Sequence, residues 1–455
     1  MMKRTQAAFV ILASSLGILA AARLARAEVP EAYRKLWDDP EVVARIDQDT
    51  ERCRKADAVV EVVDAAGKPV GGVKITAEQQ THEFLFGCNL FVLGQLDTPE
   101  LNAKYERAFA GLCNFATLPF YWGDLEPQQG KPRYAEGSAY IWRRPPPDVL
   151  LRWCKANGIT PKGHCLLYAK NKFMPDWTAH DDAKAFMEQA RGHMAELAGR
   201  YGREIPVWDV INEEIPRVAH PDQWHAVPDD YAIQCFQEAD RLFSKDVTLV
   251  INDGTSQTHV TTDLCEANVR QLLDRGVRVD GIGIQFHTGR GGLASGKSYP
   301  PKQLIAVYDR LGRLGLPLYI TEITISGTGA DGPAEQGEVV ANLYRLWFST
   351  PNMAGVTWWN LADGTAYGNE NKSLGGLLDQ DMNPKPAYQA LDRLINHQWK
   401  TSTAGTTGAD GRFRFRGFKG GYRITVGPPG KTQEFTVPVT SGPEKPHRLV
   451  LGEPT

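Results

Sequence analysis

From Phe84 onward, short apolar runs alternate with amphipathic stretches, and eight such pairs follow one another along most of the chain. The runs at 84–91, 114–120, 161–168, 207–212, 248–252, 281–287, 318–325 and 355–361 read as strands. Stretches at 182–200, 230–243, 263–275 and 386–395 have helical periodicity and open on Asp182, Asp230, Asp263 and Pro386, residue types that start helices. Parallel strands need long crossovers, and these spacings supply them. Eight such units close on themselves, so the expected fold is α/β, a (β/α)8 TIM barrel over residues 84–398. Its interior is packed with side chains, which explains why most of the runs are apolar on both faces.

The flanks differ in character. Residues 57–83 and 399–455 read as short strands around Asp64, Gly67-Lys68-Pro69, Asp410-Gly411 and Lys419-Gly420-Gly421. The first piece resembles the opening hairpin of a carboxypeptidase-regulatory-like β-sandwich, and Thr407-Gly408-Ala409-Asp410-Gly411-Arg412-Phe413 resembles its later strands. Neither piece has enough strands to build a core alone. The expectation is one small accessory all-β sandwich, with the barrel inserted between its halves. Residues 28–56 form a helical lead-in. Residues 1–27 read as an export signal: Lys3 and Arg4, an apolar run at 7–22, then Ala25-Arg26-Ala27. A periplasmic or extracellular location follows, with no membrane partner after signal removal.

The charge balance is 51 basic against 54 acidic residues, which lacks the basic excess of a nucleic-acid binder. Seven cysteines are an odd number and none lies in a Cys-x-x-Cys pair, so at least one thiol is expected to stay free. A monomer is expected.

Chemistry concentrates at the strand ends. The fourth run finishes Trp208-Asp209-Val210-Ile211-Asn212-Glu213-Glu214, and the seventh passes through Tyr319-Ile320-Thr321-Glu322. In such a barrel the C-terminal rim carries the active site, so Glu213 and Glu322 face one another across its mouth. Glycosidic cleavage needs a proton for the leaving oxygen and a carboxylate for the anomeric carbon, and two carboxyl groups supply both. A separation of about 5 to 5.5 Å gives retention, whereas about 6.5 to 9.5 Å admits an inverting water. Strand alternation turns Glu214 away from Glu213, towards a salt-bridged structural role. His164 and His287 fall at the ends of strands three and six. Trp359 and Tyr367, at and after strand eight, offer faces on which sugars stack, while Trp358 points outward. There is no His-x-His on strand one and no His-Glu-x-x-His helix, so no metal and no cofactor is called for.

Eight segments in order resemble glycoside hydrolase family 10, the barrel family of endo-β-1,4-xylanases, over about residues 84–394. They are Phe86-Gly87, Glu126-Pro127 with Gly130, Gly163-His164, Trp208 to Glu213, Ile251-Asn252-Asp253, Gly281-Ile282-Gly283-Ile284-Gln285-Phe286-His287, Ile320-Thr321-Glu322 and Asn383-Pro384-Lys385-Pro386-Ala387-Tyr388. The resemblance implies Glu213 as acid/base, Glu322 as nucleophile and Asn212 as ligand of the sugar 2-hydroxyl. It also implies that His287 bonds Glu322, with His164 and Gln285 near the cleaved sugar.

The second strand departs from that pattern. Xylanases carry Glu-Asn and, three residues later, Lys, where this chain has Thr117, Leu118 and Tyr121 before Trp122; their Trp-His pair on strand three is Tyr168-Ala169 here. Each lost hydrogen bond is worth about 0.5 to 1.5 kcal/mol. The expected function is therefore a retaining hydrolase of xylan or of a related or decorated β-1,4-glycan or oligosaccharide, with Tyr121 and Tyr168 beside the sugar. The alternatives are a non-catalytic carbohydrate-binding protein and an exo-acting β-glycosidase.

Overall fold

The computed structural model describes residues 29–254, 259–288, 293, 297–428, 431–442 and 445–452. The segment 1–27 read as an export signal lies outside the described residues. Two helices, Glu31–Trp37 and Pro40–Arg54, lead into β1 (Lys55–Val63) and β2 (Lys74–Gln79). Eight strands follow: β3 (Leu85–Asn89), β4 (Phe115–Pro119), β5 (Thr160–Leu167), β6 (Val207–Asn212), β7 (Thr248–Asp253), β8 (Gly281–Thr288), β9 (Leu318–Ile325) and β10 (Met353–Trp358). They pair in parallel and in sequence order, and β10 closes the ring against β3. The fold is a (β/α)8 barrel with an accessory β domain.

Local chemistry sets the elements. The Asp182 carboxylate accepts from the amides of Lys184 and Ala185 and starts the helix Ala183–Tyr201. Between β5 and β6 the Trp208 indole lies against Gly163 so closely that a Cβ there would sit 2.2 Å from the ring. Only glycine fits that approach. Register shifts interrupt the β6–β7 pairing between Asp209 and Ile211 and the β8–β9 pairing between Ile284 and Gln285. Such irregularities re-aim side chains next to functional rims, and these two lie just before Asn212 and at Gln285.

The final strands are β11 (Ser402–Thr406), β12 (Arg412–Phe418), β13 (Gly420–Val426), β14 (Gln433–Val439) and β15 (His447–Val450). β1 lies between β12 and β15, and β2 between β11 and β13, with β14 outermost. Alternate residues point into one shared cluster, among them Val60, Val62, Ile75, Ala77, Tyr422, Ile424 and Val437. Every sheet of this domain thus mixes residues from both ends of the chain.

The β domain meets the barrel at the end opposite the strand C-termini. Phe348 stacks on Trp399 at 4.0 Å, and Phe418 of β12 reaches the same ring of Phe348 at 6.0 Å. Arg54, buried where the second helix passes into β1, donates to the carbonyls of Phe348, Thr350 (2.6 Å) and Met353 (2.8 Å). Two of these carbonyls belong to the last turn and exit of the helix Gly332–Ser349, where backbone acceptors lack helical partners. All seven cysteines are free thiols. Among the described residues no helix is long and apolar enough to cross a membrane.

Arg54→Met strands these acceptors in an apolar junction. It is expected to cost about 2–4 kcal/mol in urea unfolding, with little dependence on salt because the hydrogen-bond partners lost are neutral carbonyls. A loss below about 0.5 kcal/mol would rule out Arg54 as the clasp.

Candidate active site

The C-terminal ends of the strands surround one cavity of about 510 Å³. Tyr121, His164, Tyr168, Asn212, Glu213, His287, Glu322, Trp359 and Tyr367 all line it. Gln285 stands behind the wall, buried and within hydrogen-bond reach of Glu322. Tyr367 sits at the rim, more than half exposed, whereas Trp359 is buried and packs edge-on to His164 at 5.3 Å.

Glu322 emerges from β9 with only 5% of its surface exposed. Its Oε1 accepts from Asn252 Nδ2 at 2.9 Å and Gln285 Nε2 at 3.1 Å, and its Oε2 is hydrogen-bonded to His287 Nε2 at 3.1 Å. Burial alone would favour the protonated acid. The His287 hydrogen bond and the electrostatic influence of His164, His287 and Lys162 outweigh it and hold the carboxyl below the usual range. For His287 burial likewise opposes charge, but the hydrogen bond and charge of Glu322, with help from Glu370, raise it above an ordinary histidine. Its Nδ1 is tied to Thr324 Oγ1 at 2.9 Å, and that hydroxyl donates to Glu370 at 2.6 Å. A second buried group lies beneath. Asp209 takes the Nζ of Lys162 and the Nδ1 of His164, both at 2.7 Å, inside the barrel. His164 Nε2 then stands 3.9 Å from Glu322.

Glu213 ends β6 in a left-handed conformation, φ 60°, that costs a non-glycine residue about 1–2 kcal/mol. The neighbouring backbone holds it there. Its amide donates to the Asn252 carbonyl at 2.9 Å, and its carbonyl accepts from Arg217 at 3.1 Å as the helix Glu214–Ala219 begins. Asp253 receives the Ile215 amide at 3.1 Å and anchors the same turn. Burial, reinforced by Glu214 and Glu213, pushes the Asp253 carboxyl up to about 7. Glu214 turns away and grips Arg217 at 2.6 Å. Trp358 is likewise off the cavity, buried and donating to the Gly375 carbonyl at 3.0 Å.

Of the segment where the xylanase pattern fails, Thr117, Leu118 and Phe120 are buried in the barrel wall, and Thr117 Oγ1 has no hydrogen-bond partner. Only Tyr121 reaches the cavity. Its ring lies edge-on to His164 at 5.4 Å and under the Arg144 guanidinium at 4.1 Å.

Several wall residues escape sequence reasoning: Arg143 and Arg144 after β4, Lys170 and Lys172 after β5, and Glu370 after β10. Lys170 Nζ donates to Glu213 Oε2 at 3.2 Å. Their shared signal is position, since all lie in loops leaving strand C-termini. Among the described residues no group of three or more His, Cys, Asp and Glu is arranged to hold a metal ion.

Comparison with known proteins agrees with this architecture. The family model for glycosyl hydrolase family 10 matches residues 120–393. Anti-sigma-I factor RsgI6 of Acetivibrio thermocellus is 27% identical over 391 residues, covering 85% of this chain and 47% of that protein. Endo-1,4-beta-xylanase 1 of Arabidopsis thaliana is 23% identical over 393 residues, covering 84% and 38%. The chain thus spans less than half the length of these two relatives. Among solved structures, xylanase 10B from Thermotoga petrophila RKU-1 in complex with xylobiose gives a TM-score of 0.58 at 18% identity, over 70% of this chain and 95% of that one. Native xylanase 10B from Thermotoga maritima gives 0.57 at 19%, over 70% and 96%. These two likenesses are of fold. With the family match running from the end of β4 to the last helix of the barrel, over more than half its residues, the chain belongs to glycosyl hydrolase family 10.

Proposed function

We propose that the protein is a retaining glycoside hydrolase cleaving β-1,4-linked glycans, xylan or a related or decorated β-glycan, by double displacement. One observation carries the reading: a buried carboxylate, Glu322, takes three hydrogen bonds and opens on the same cavity as a second carboxyl, Glu213. Relatives named endo-1,4-beta-xylanases support the substrate class. Basic, apolar and small residues in that order over 1–27 support export.

In the first step a Glu322 oxygen attacks C1 of the sugar, the C1–O bond breaks, and Glu213 delivers its proton to the leaving oxygen. The resulting ester leaves Glu322 without charge. Glu213, now ionised, takes a proton from water as that water attacks C1, and Glu322 departs as carboxylate. Asn212 is suited to the 2-hydroxyl. Its Oδ1 accepts from Asn252 at 2.7 Å and Gln285 at 3.3 Å, so its Nδ2 is turned to donate to the sugar. Trp359 and Tyr367 supply apolar faces against which pyranose rings pack. His287 and Gln285 hold the nucleophile, and Lys170 holds Glu213 in place.

Glu213→Ala and Glu322→Ala are each expected to lower kcat on β-1,4-glycan oligosaccharides by about 10²–10⁴-fold or more. Azide is expected to restore part of the Glu322→Ala rate on an aryl glycoside with a good leaving group. Turnover within twofold of the unmodified protein in either variant would refute the assignment.

A second expectation concerns pH. Glu322 attacks only as carboxylate, and its pKa is held below the ordinary value of 4.5, so the acid limb of kcat/KM lies below that value. His287→Ala removes a hydrogen bond that favours the ionised form, and the limb moves to higher pH. An unmoved limb in the variant would exclude His287 as the group that keeps the nucleophile charged.

A further inference from the structure

We propose that Arg143 makes this cleft a reader of a carboxylate carried by the glycan, so that the preferred substrate is a β-glycan bearing uronic acid groups. The inference rests on the hydrolase reading and names its substrate more closely. Arg143 lines the cavity yet is only 3% exposed, and it is held at φ 64°, a conformation disfavoured for any residue with a Cβ. Its amide is fixed by Gln95 Oε1 at 2.7 Å. Nη1 donates to Asn360 Oδ1 at 2.7 Å and to the Thr365 carbonyl, while Nε is buried without a partner. Among the described residues no carboxylate hydrogen-bonds this guanidinium. Glu370 of the same wall acts on it only through space, without a hydrogen bond; a buried charge so weakly compensated is costly, and strained backbone of this kind persists where function uses it.

The other cations of the wall set off the imbalance. Arg144 is neutralised by Asp124 at 2.6 Å and Lys170 by Glu213 at 3.2 Å. Among the described residues Lys172, like Arg143, has no carboxylate in salt-bridge contact, its ammonium standing 4.6 Å from the Phe173 ring centre and 5.1 Å from that of Tyr367. Arg143 reaches the backbone of Thr365 and Lys172 the ring of Tyr367, so the two unpaired cations converge on one short segment after β10. Meanwhile the neutral and charged polar groups that xylanases place on strand two are absent, replaced by Thr117, Leu118 and Tyr121. Recognition has moved from hydroxyl partners to a planar fork that matches a carboxylate. In a cleft shaped for β-linked sugars, the group of that charge and shape is a uronate.

The test compares two β-1,4-xylo-oligosaccharides that differ only in one glucuronic acid branch, intact in one and reduced to the alcohol in the other. With the unmodified protein the acidic form is expected to be favoured about ten- to hundredfold in kcat/KM. Arg143→Met is expected to bring the acid-to-neutral ratio near one, with Arg143→Lys between. The substrate-side comparison needs no variant, so it decides even if Arg143→Met fails to fold. Hydrolysis of both sugars at equal rates, or an unchanged ratio in a folded Arg143→Met protein, overturns the proposal while leaving the hydrolase reading intact. If neither sugar is cleaved, the hydrolase reading falls, and calorimetric affinity of the unmodified protein for the two sugars decides the carboxylate: tighter binding of the acidic form upholds it, and equal affinities overturn it.

Discussion

A carboxylate sealed from water stays charged only if the protein replaces the hydrogen bonds that water would give, and Glu322 depends on that substitution. Its partners arrive from three different strands: Asn252 from β7, Gln285 and His287 from β8, with His164 of β5 standing behind. No linear stretch of chain could bring these together. Barrel closure does, because every strand runs in the same direction and delivers its last residues to one rim. The Lys162–Asp209–His164 cluster extends the same logic one layer down, where each buried charge meets an opposite one rather than an apolar wall.

How far this was legible in the amino-acid order follows from what each feature depends on. The eight strands announced themselves by periodicity, and the fourth and seventh, Val207–Asn212 and Leu318–Ile325, matched to the residue because turn or cap residues bound them closely. The eighth apolar run, 355–361, lies two or three residues beyond the strand Met353–Trp358, since it continues past the last ladder hydrogen bond. Glu213, just past a strand end, and Glu322, in the C-terminal half of its strand, stand out because both lie within motifs. Lys162 and Asp209 do not, because a charged residue inside an apolar strand gives no hint of its partner on the next strand. Arg143 was hidden for a different reason. Among the described residues its guanidinium donates to Asn360 and the Thr365 carbonyl and to no carboxylate, which shows only when the surroundings are known in three dimensions.

Strain and polarity are distributed unevenly between the two ends of the barrel. At the cavity end Glu213 and Arg143 adopt left-handed backbone and Asp253 is driven towards protonation. The opposite end holds stacked rings of Phe86, Phe348 and Trp399, with Arg54 lying over Phe84 and satisfying backbone carbonyls. Stability is concentrated away from chemistry, which lets the cavity end keep conformations that would be unfavourable on their own.

The interleaving of first and last segments in the accessory sheets bears on the order in which the molecule assembles. During synthesis β1 and β2 leave the ribosome some 320 residues before β11 to β15 exist to cover them, so the nascent chain carries two strands open on both edges while the barrel forms. Emergence of β11 to β15, rather than completion of the barrel, is therefore the event that lets the two small sheets form, and until then the buried faces of β1 and β2 stay uncovered.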